Sequence, residues 1–260
     1  MHAPVSSIIP PDLLLSAYRS GIFPMADGRD DEEVYWVEPR ERAVIPIESF
    51  RPSRSLAKAI RQDRFRVTCD ADFAGVIEAC AAPRPGHPET WINTRIAASY
   101  RKLHAAGHAH SIECWAGDEM VGGLYGVGFD RVFCGESMFS RATDASKVAL
   151  AWLVALLKTG GYRVLDCQFM TEHLATLGAI PLSREAYLER LADAAREGPA
   201  PALPEIYASV CDSAGCSGVA EAVGVGDGVA AGAEGAAPLS DGTAGPSPGK
   251  VILQSLTQTS

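Results

Sequence analysis

No stretch of this 260-residue chain is apolar for the roughly 20 residues that a bilayer-spanning helix needs, which excludes such a helix. The opening Met1-His2-Ala3-Pro4 lacks the charged segment and following apolar run of a secretory leader, so a cytoplasmic location away from membranes is expected. No C-x-x-C pair occurs among the seven cysteines, which removes the commonest zinc and thiol-redox patterns. Cys69, Cys80, Cys114, Cys134 and Cys167 read as reduced thiols in apolar segments. Cys211 and Cys216, in a Gly/Ala-rich stretch, leave pairing or metal binding open. A Walker A sequence and a G-x-S-x-G elbow are both absent. Basic residues are scarce relative to acidic ones, 23 against 32, and the net charge of -9 argues against a generic nucleic-acid binder.

What is present is a chain 47% hydrophobic, enough to bury a substantial core. Its few cations are unevenly spread. Arg40 to Arg66 holds eight basic residues against three acidic ones, a local net of +5. Within it, Ser53 is placed to cap a helix to Gln62 on which Arg54, Lys58 and Arg61 share one face. That stripe is either a phosphate-facing surface or a solvated helix face. Before it come a short helix, with Leu13, Leu14, Ala17 and Tyr18 as its apolar face, and strands at Val34–Val37 and Ala43–Ile45. After it come a strand, Phe65–Thr68, and a helix, Ala71–Ala81.

From Asn93 the pattern is that of a compact α/β unit. A helix runs to Ala106 and Gly107 ends it. His110–Trp115 and Glu119–Val127 flank an Ala-Gly-Asp hairpin turn, and Arg131–Cys134 continues the sheet. Asp144 is placed to cap an apolar helix, Ala145–Thr159, followed by a strand, Arg163–Phe169, and helices over Glu172–Leu177 and Arg184–Arg196. Beyond Gly198 the composition turns to Ala, Gly, Ser and Pro. The expected organisation is a small domain over 1–66 carrying the basic helix, a larger α/β domain over 67–198, a disordered acidic tail over 199–250 and a terminal strand over 251–260.

Three groups could carry chemistry. On a strand, Asp166 and Gln168 project from one face, a carboxylate beside an orienting amide, or else a polar strand end facing solvent. Glu136, among apolar residues just after a strand, meets a cation, has a raised pKa, or accepts backbone N–H groups in the loop. Leu150, Leu153 and Leu157 share a helix face that is core or the wall of an apolar pocket. His104, His108 and His110 are spaced closely enough to suggest a metal, but Gly107 breaks the helix between the first two, so no regular ligand geometry is expected. The glycines of Val121–Gly128 lie within a strand and read as close packing rather than as a dinucleotide loop.

Seven stretches in order, Ala17-Tyr18-Arg19-Ser20-Gly21-Ile22-Phe23-Pro24, Thr90-Trp91-Ile92, Gly107–Glu113, Val121–Val127, Phe133–Ser140 with Ala145-Ser146-Lys147, Asp166-Cys167-Gln168 and Leu177-Gly178-Ala179, resemble the leucyl/phenylalanyl-tRNA–protein transferase family. The resemblance implies an α/β (α+β) fold, with a small N-terminal domain before a GNAT-like acyltransferase domain that has a mixed, largely antiparallel sheet. It implies a monomeric enzyme that uses no cofactor or metal. Such an enzyme transfers Leu or Phe, less readily Met, from aminoacyl-tRNA to proteins with N-terminal Arg or Lys, marking them for N-end-rule degradation. It further implies that Asp166 and Gln168 handle the attacking amine and that Glu136 contacts the substrate amino group or basic side chain. By the same resemblance Leu124, Phe133, Met138, Leu150, Leu153, Leu157 and Leu165 form the donor side-chain pocket, Trp91 stacks on the terminal adenosine, and Arg54, Lys58 and Arg61 meet the tRNA acceptor stem. The chain departs from the family at Met25, where some members carry a Trp that stacks on the adenosine; Met still packs against a base. Alternatives are a transferase for acidic N-termini, an acyl-CoA-dependent acyltransferase, for which no pyrophosphate loop is found, and a non-catalytic tRNA-binding module.

Overall fold

The computed structural model describes residues 8–83, 89–214 and 246–258. Helix α1 (Pro11–Arg19) starts on the proline pair, with Asp12 in its first turn rather than at its cap, and buries Leu14, Leu15 and Tyr18 while Leu13 faces solvent. A two-stranded ribbon follows, β1 (Phe23–Met25) against β2 (Tyr35–Val37). Then come β3 (Glu41–Ile45), the basic helix α2 (Arg54–Arg61) capped by the Ser53 hydroxyl, β4 (Arg66–Cys69) and α3 (Phe73–Ala81). Helix α4 (Thr94–Ala105), capped by Asn93, leads into the meander β5 (Ala109–Ala116), β6 (Glu119–Phe129) and β7 (Val132–Ser140). Helix α5 (Ala145–Thr159), β8 (Val164–Asp166), α6 (Glu172–Thr176), β9 (Ile180–Ser183) and α7 (Arg184–Arg196) complete the expected unit.

The main sheet has seven strands in the order β4-β5-β6-β7-β8-β3-β9, and every pair is antiparallel except β7 with β8. This is the mixed, largely antiparallel α/β architecture expected. The sheet takes β3 from the 1–66 segment and inserts it between β8 and β9, so strands from both sides of the 66/67 boundary share one sheet. One face packs on α5, whose residues are buried almost all round, together with α2; the other packs on α1, α3, α4 and α7. Helix α5 sits close because the strand beneath it has no side chain in the way. A Cβ at Gly122 would lie 2.5 Å from that of Ala145, and one at Gly126 would lie 2.3 Å from the Cys134 carbonyl oxygen.

The C-terminal expectations need correction. Residues 203–213, taken as part of a disordered tail, form helix α8 (Leu203–Ser213), and the expected terminal strand is helix α9 (Pro248–Thr257). The cause is helical periodicity beneath a biased composition. Leu203, Ile206, Tyr207, Val210 and Cys211 recur at three- and four-residue intervals, as do Ile252, Leu253 and Leu256, and a proline sits in the first turn of each helix. Both stripes are buried against α5, with α8 also on β4 and α9 also on α2. The rest of the acidic tail, with Cys216, lies outside the described residues. Asp144 occupies the N-cap position of α5, but its carboxylate pairs with Lys147 at 3.3 Å instead of capping. No described helix is long and apolar enough to cross a membrane. Cys80, Cys114, Cys134 and Cys211 are buried, Cys69 and Cys167 are half-buried, and none of the six forms a disulfide.

Candidate functional site

Two local irregularities bring Asp166, Gln168 and Glu136 together. The strand expected to run to Phe169 stops at Asp166, and Gln168 adopts a left-handed backbone (φ 57°). The turn is held by the Asp166 carboxylate, whose Oδ1 accepts the Gln168 N–H at 3.0 Å. Glu136, expected in a loop, lies inside β7 at a β-bulge. Gly126 pairs with Gly135 and Tyr125 with Ser137, so Glu136 is the extra residue between them. A bulge re-aims side chains, and here it also resets the alternation of the strand. Phe133 and Met138, an odd number of residues apart, therefore both join the cluster under α5, while Phe139 joins the opposite one. The Gln168 amide Nε2 donates to Glu136 Oε1 at 3.2 Å, and Tyr100 donates to Oε2 at 3.1 Å. The Tyr100 hydroxyl in turn makes a short contact with that of Tyr18.

Asp166 is fully buried and saturated. Arg42 Nε donates to Oδ1 at 3.2 Å, Arg42 Nη2 pairs with Oδ2, and Tyr187 donates to Oδ2 at 3.2 Å. Counting the Gln168 N–H, four donors converge on one carboxylate. The guanidinium is itself 1% exposed and lies 4.9 Å from the Phe23 ring centroid and 4.5 Å from that of Tyr187. Burial opposes its charge, but the Asp166 carboxylate outweighs that and holds it firmly protonated. Arg42, one of the eight basic residues between Arg40 and Arg66, is the buried counter-ion of Asp166 and is not part of the exposed Arg54, Lys58 and Arg61 stripe.

Glu136 forms no ion pair among the described residues. Burial pushes its carboxyl up to about 8, and hydrogen bonds from Tyr18 and Tyr100 pull the other way without cancelling the effect. Burial likewise raises the phenols of Tyr18, Tyr100 and Tyr187, which stay protonated as donors. The site is thus a neutralised Arg42–Asp166 pair beside a carboxyl poised to gain or lose a proton near neutrality, with Gln168 between them. Arg42, Tyr100 and Tyr187 carried no functional mark in the sequence, and Tyr18 was expected only as part of an apolar helix face. The available signal for Arg42 was alternation: it shares a strand face with the buried Val44.

Leu124, Phe133, Leu150, Leu153, Leu157 and Leu165 are all buried in one continuous cluster, with Met138 half-buried at its margin. Met25 and Trp91 are partly buried against the cluster on the opposite sheet face, and Tyr35, paired with Met25, is exposed together with Trp36. A cleft of about 420 Å³ opens between Ile45–Ser53, Lys147 and Ala175–Gly178. It adjoins the site, because Ile45 pairs with Leu165 and Val44 with Asp166, but none of the seven apolar pocket candidates lines it. Arg54, Lys58 and Arg61 are exposed along α2 and enter no ion pair among the described residues.

The histidines are not grouped as their spacing suggested. His104 and His110 come together with Asp70, their ligand-type atoms within 4.8 Å of one another, and His108 is not part of the group. His110 Nδ1 is bonded to Asp70 at 2.7 Å and His104 Nδ1 to the Ala109 carbonyl at 2.7 Å, and the second Asp70 oxygen accepts the Ser111 N–H. The group is a hydrogen-bonded joint between the ends of β4, α4 and β5.

Residues 44–192 match the family model for leucyl/phenylalanyl-tRNA protein transferase, and residues 8–40 match the model for the N-terminal domain of that transferase. The chain is 57% identical over 257 residues to a leucyl/phenylalanyl-tRNA–protein transferase of Novosphingobium aromaticivorans, covering 97% of each. It is 58% identical to that of Zymomonas mobilis, over 73% of this chain and 71% of the relative. To that of Rhizorhabdus wittichii it is 60% identical, over 70% and 74%.

Proposed function

Because the chain belongs to the leucyl/phenylalanyl-tRNA protein transferase family, and is thus an aminoacyltransferase that joins an aminoacyl group from tRNA to protein, we propose that it moves Leu or Phe, less readily Met, to the N-terminal Arg or Lys of acceptor proteins in the cytoplasm. The enzyme acts as a monomer, and its product is marked for N-end-rule degradation. The observation that carries this reading is the convergence of Gln168 and the uncompensated Glu136 beside an Asp166 that Arg42 already neutralises.

The reaction follows from those atoms. The acceptor α-amine attacks the ester carbonyl carbon; the new C–N bond forms as the bond from that carbon to the tRNA ribose oxygen breaks. The amine nitrogen sheds a proton and the ribose oxygen gains one. An α-amine has a pKa of about 8, so a carboxyl held at about 8 is matched to take and return that proton near neutral pH. Gln168 donates to Glu136 through Nε2, which leaves its Oε1 to accept an N–H of the incoming amine and aim its lone pair. Asp166, ion-paired with Arg42 and already accepting from four donors, acts as a positioning residue. It fixes the Gln168 turn rather than taking the proton itself.

In its deprotonated form, the one able to take the proton, Glu136 favours a cationic acceptor over an acidic one. The donor side chain packs on Leu124, Phe133, Met138, Leu150, Leu153, Leu157 and Leu165, entering at the half-buried Met138. The terminal adenosine lies against Met25 and Trp91, and Arg54, Lys58 and Arg61 face the acceptor stem. The test is incubation with radiolabelled leucyl-tRNA and two peptides, one beginning with Arg and one with Asp. Label on the Arg peptide alone is expected. Label on the Asp peptide overturns the acceptor assignment, and label on neither, with tRNA still bound, replaces catalysis with binding.

A further inference from the structure

Helix α9 lies beyond the residues that the family models match, and the chemistry above does not use it. It is nevertheless fastened along the basic helix α2. At its start the Gly249 N–H donates to Asp63 at 2.8 Å, and the two backbones touch so closely that a Cβ on residue 249 would come within 1.9 Å of the Ile60 carbonyl oxygen. At its end Arg51 donates to the Leu256 carbonyl at 3.1 Å, a cation on the negative pole of the helix. Ile252, Leu253 and Leu256 are buried in the same cluster as Leu56 and Ile60 of α2. The alignment of the two helices is therefore fixed rather than incidental.

Between them runs an open groove of about 380 Å³ whose lining includes Arg51, Arg61 and Lys250 and no carboxylate. Arg61 and Lys250 are exposed, and neither is in an ion pair among the described residues. In a chain of net charge -9, a groove with three cations and no acid is suited to a phosphodiester backbone. We propose that the groove between α2 and α9 holds part of the sugar-phosphate backbone of the donor tRNA, with Arg61 and Lys250 as its phosphate contacts, so that the C-terminal helix completes the tRNA-binding surface. This rests on the reading that α2 faces tRNA, and extends it to a segment outside the family match. Gln254 and Thr257, also in the lining, supply neutral hydrogen-bonding groups along the path.

The experiment measures equilibrium binding of leucyl-tRNA to the full chain over a series of salt concentrations, for wild type, Lys250→Ala, Lys250→Glu, Gln254→Lys and the double variant Arg54→Ala/Lys58→Ala. All the substituted side chains are at the surface, and matching thermal unfolding curves verify that the fold is kept. Losing one charge-assisted phosphate contact weakens binding roughly three- to tenfold for Lys250→Ala. The slope of log affinity against log salt becomes shallower by about one contact. Lys250→Glu is weaker still and Gln254→Lys binds more tightly. If Arg54→Ala/Lys58→Ala weakens binding while Lys250→Glu binds as wild type with an unchanged salt slope, the groove proposal fails and the α2 reading stands. If wild type does not bind leucyl-tRNA at all, both fail.

Discussion

Replacing Arg42 with methionine removes the cation that compensates Asp166 and keeps most of the hydrophobic volume of the side chain between Phe23 and Tyr187. Two hydrogen bonds to the carboxylate, one to the Tyr187 hydroxyl and one to the Gly21 carbonyl are lost; those from Tyr187 and the Gln168 N–H to Asp166 remain. Breaking a buried ion pair by removing one partner costs about 3–5 kcal/mol, because the remaining charge is left without its counter-ion. For a chain of this size that lowers the melting temperature by about 6–20 °C. Arg42→Lys falls in between, since an ammonium cannot bridge both carboxylate oxygens in the same way. Arg42→Met/Asp166→Leu is expected to recover most of the lost stability, because it removes both charges together, yet to remain inactive, because Gln168 loses the acceptor that fixes its turn. Chemical denaturation of the four corners of the cycle, with single-turnover transfer measured on the folded proteins, gives the coupling energy. A loss under about 1 kcal/mol for Arg42→Met, or additive single and double variants, refutes the reasoning.

The Glu136 carboxyl, at about 8 when folded against an ordinary 4.5, makes stability depend on pH. Between those values the folded chain holds a proton that the unfolded chain has released. The contribution is therefore full below about 4.5 and is lost as pH rises through 8, at up to about 1.4 kcal/mol per pH unit; urea unfolding of Glu136→Gln between pH 5 and 8.5 should lack this one-proton slope. Gly126→Ala drives a Cβ into the Cys134 carbonyl and the Phe133 ring and should cost about 1–3 kcal/mol by the same assay. Leu256→Ala, 1% exposed under α9, should cost about 2–5 kcal/mol, whereas a disordered tail would lose nothing. Competition between leucyl- and methionyl-tRNA should show a preference of only about 1–3 kcal/mol, as expected of an apolar pocket.

Elements whose boundaries are marked by local chemistry were legible in the sequence. Asn93 and Gly107 bracket α4, Gly117 turns the β5–β6 hairpin at positive φ, and α7 runs over its expected span. The short strands β1 and β9, each carrying a proline, were not, whereas the equally short β2 and β4 were marked by their aromatic and β-branched residues. Helices α8 and α9 failed for a different reason: tail-like composition was allowed to override a regular apolar spacing. The convergence of Asp166, Gln168 and Glu136 was anticipated, but its geometry was not. Strand alternation would have aligned Asp166 with Gln168, whereas a left-handed turn and a bulge in the neighbouring strand do so instead. Arg42 shows what charge counting misses, because a guanidinium in a strand has no visible partner until Asp166, far along the chain, is placed beside it.

The most direct test of the account is single-turnover transfer from saturating leucyl-tRNA to an Arg-initiated peptide, comparing wild type with Glu136→Gln and with Gln168→Ala while tRNA affinity is measured in parallel. Loss of proton transfer is worth about 10²–10⁴-fold, so the account predicts a rate at least about a hundredfold lower in Glu136→Gln, with tRNA binding unchanged and with the rise in wild-type rate near pH 8 abolished. Transfer at the wild-type rate in both variants would place the chemistry elsewhere in the molecule.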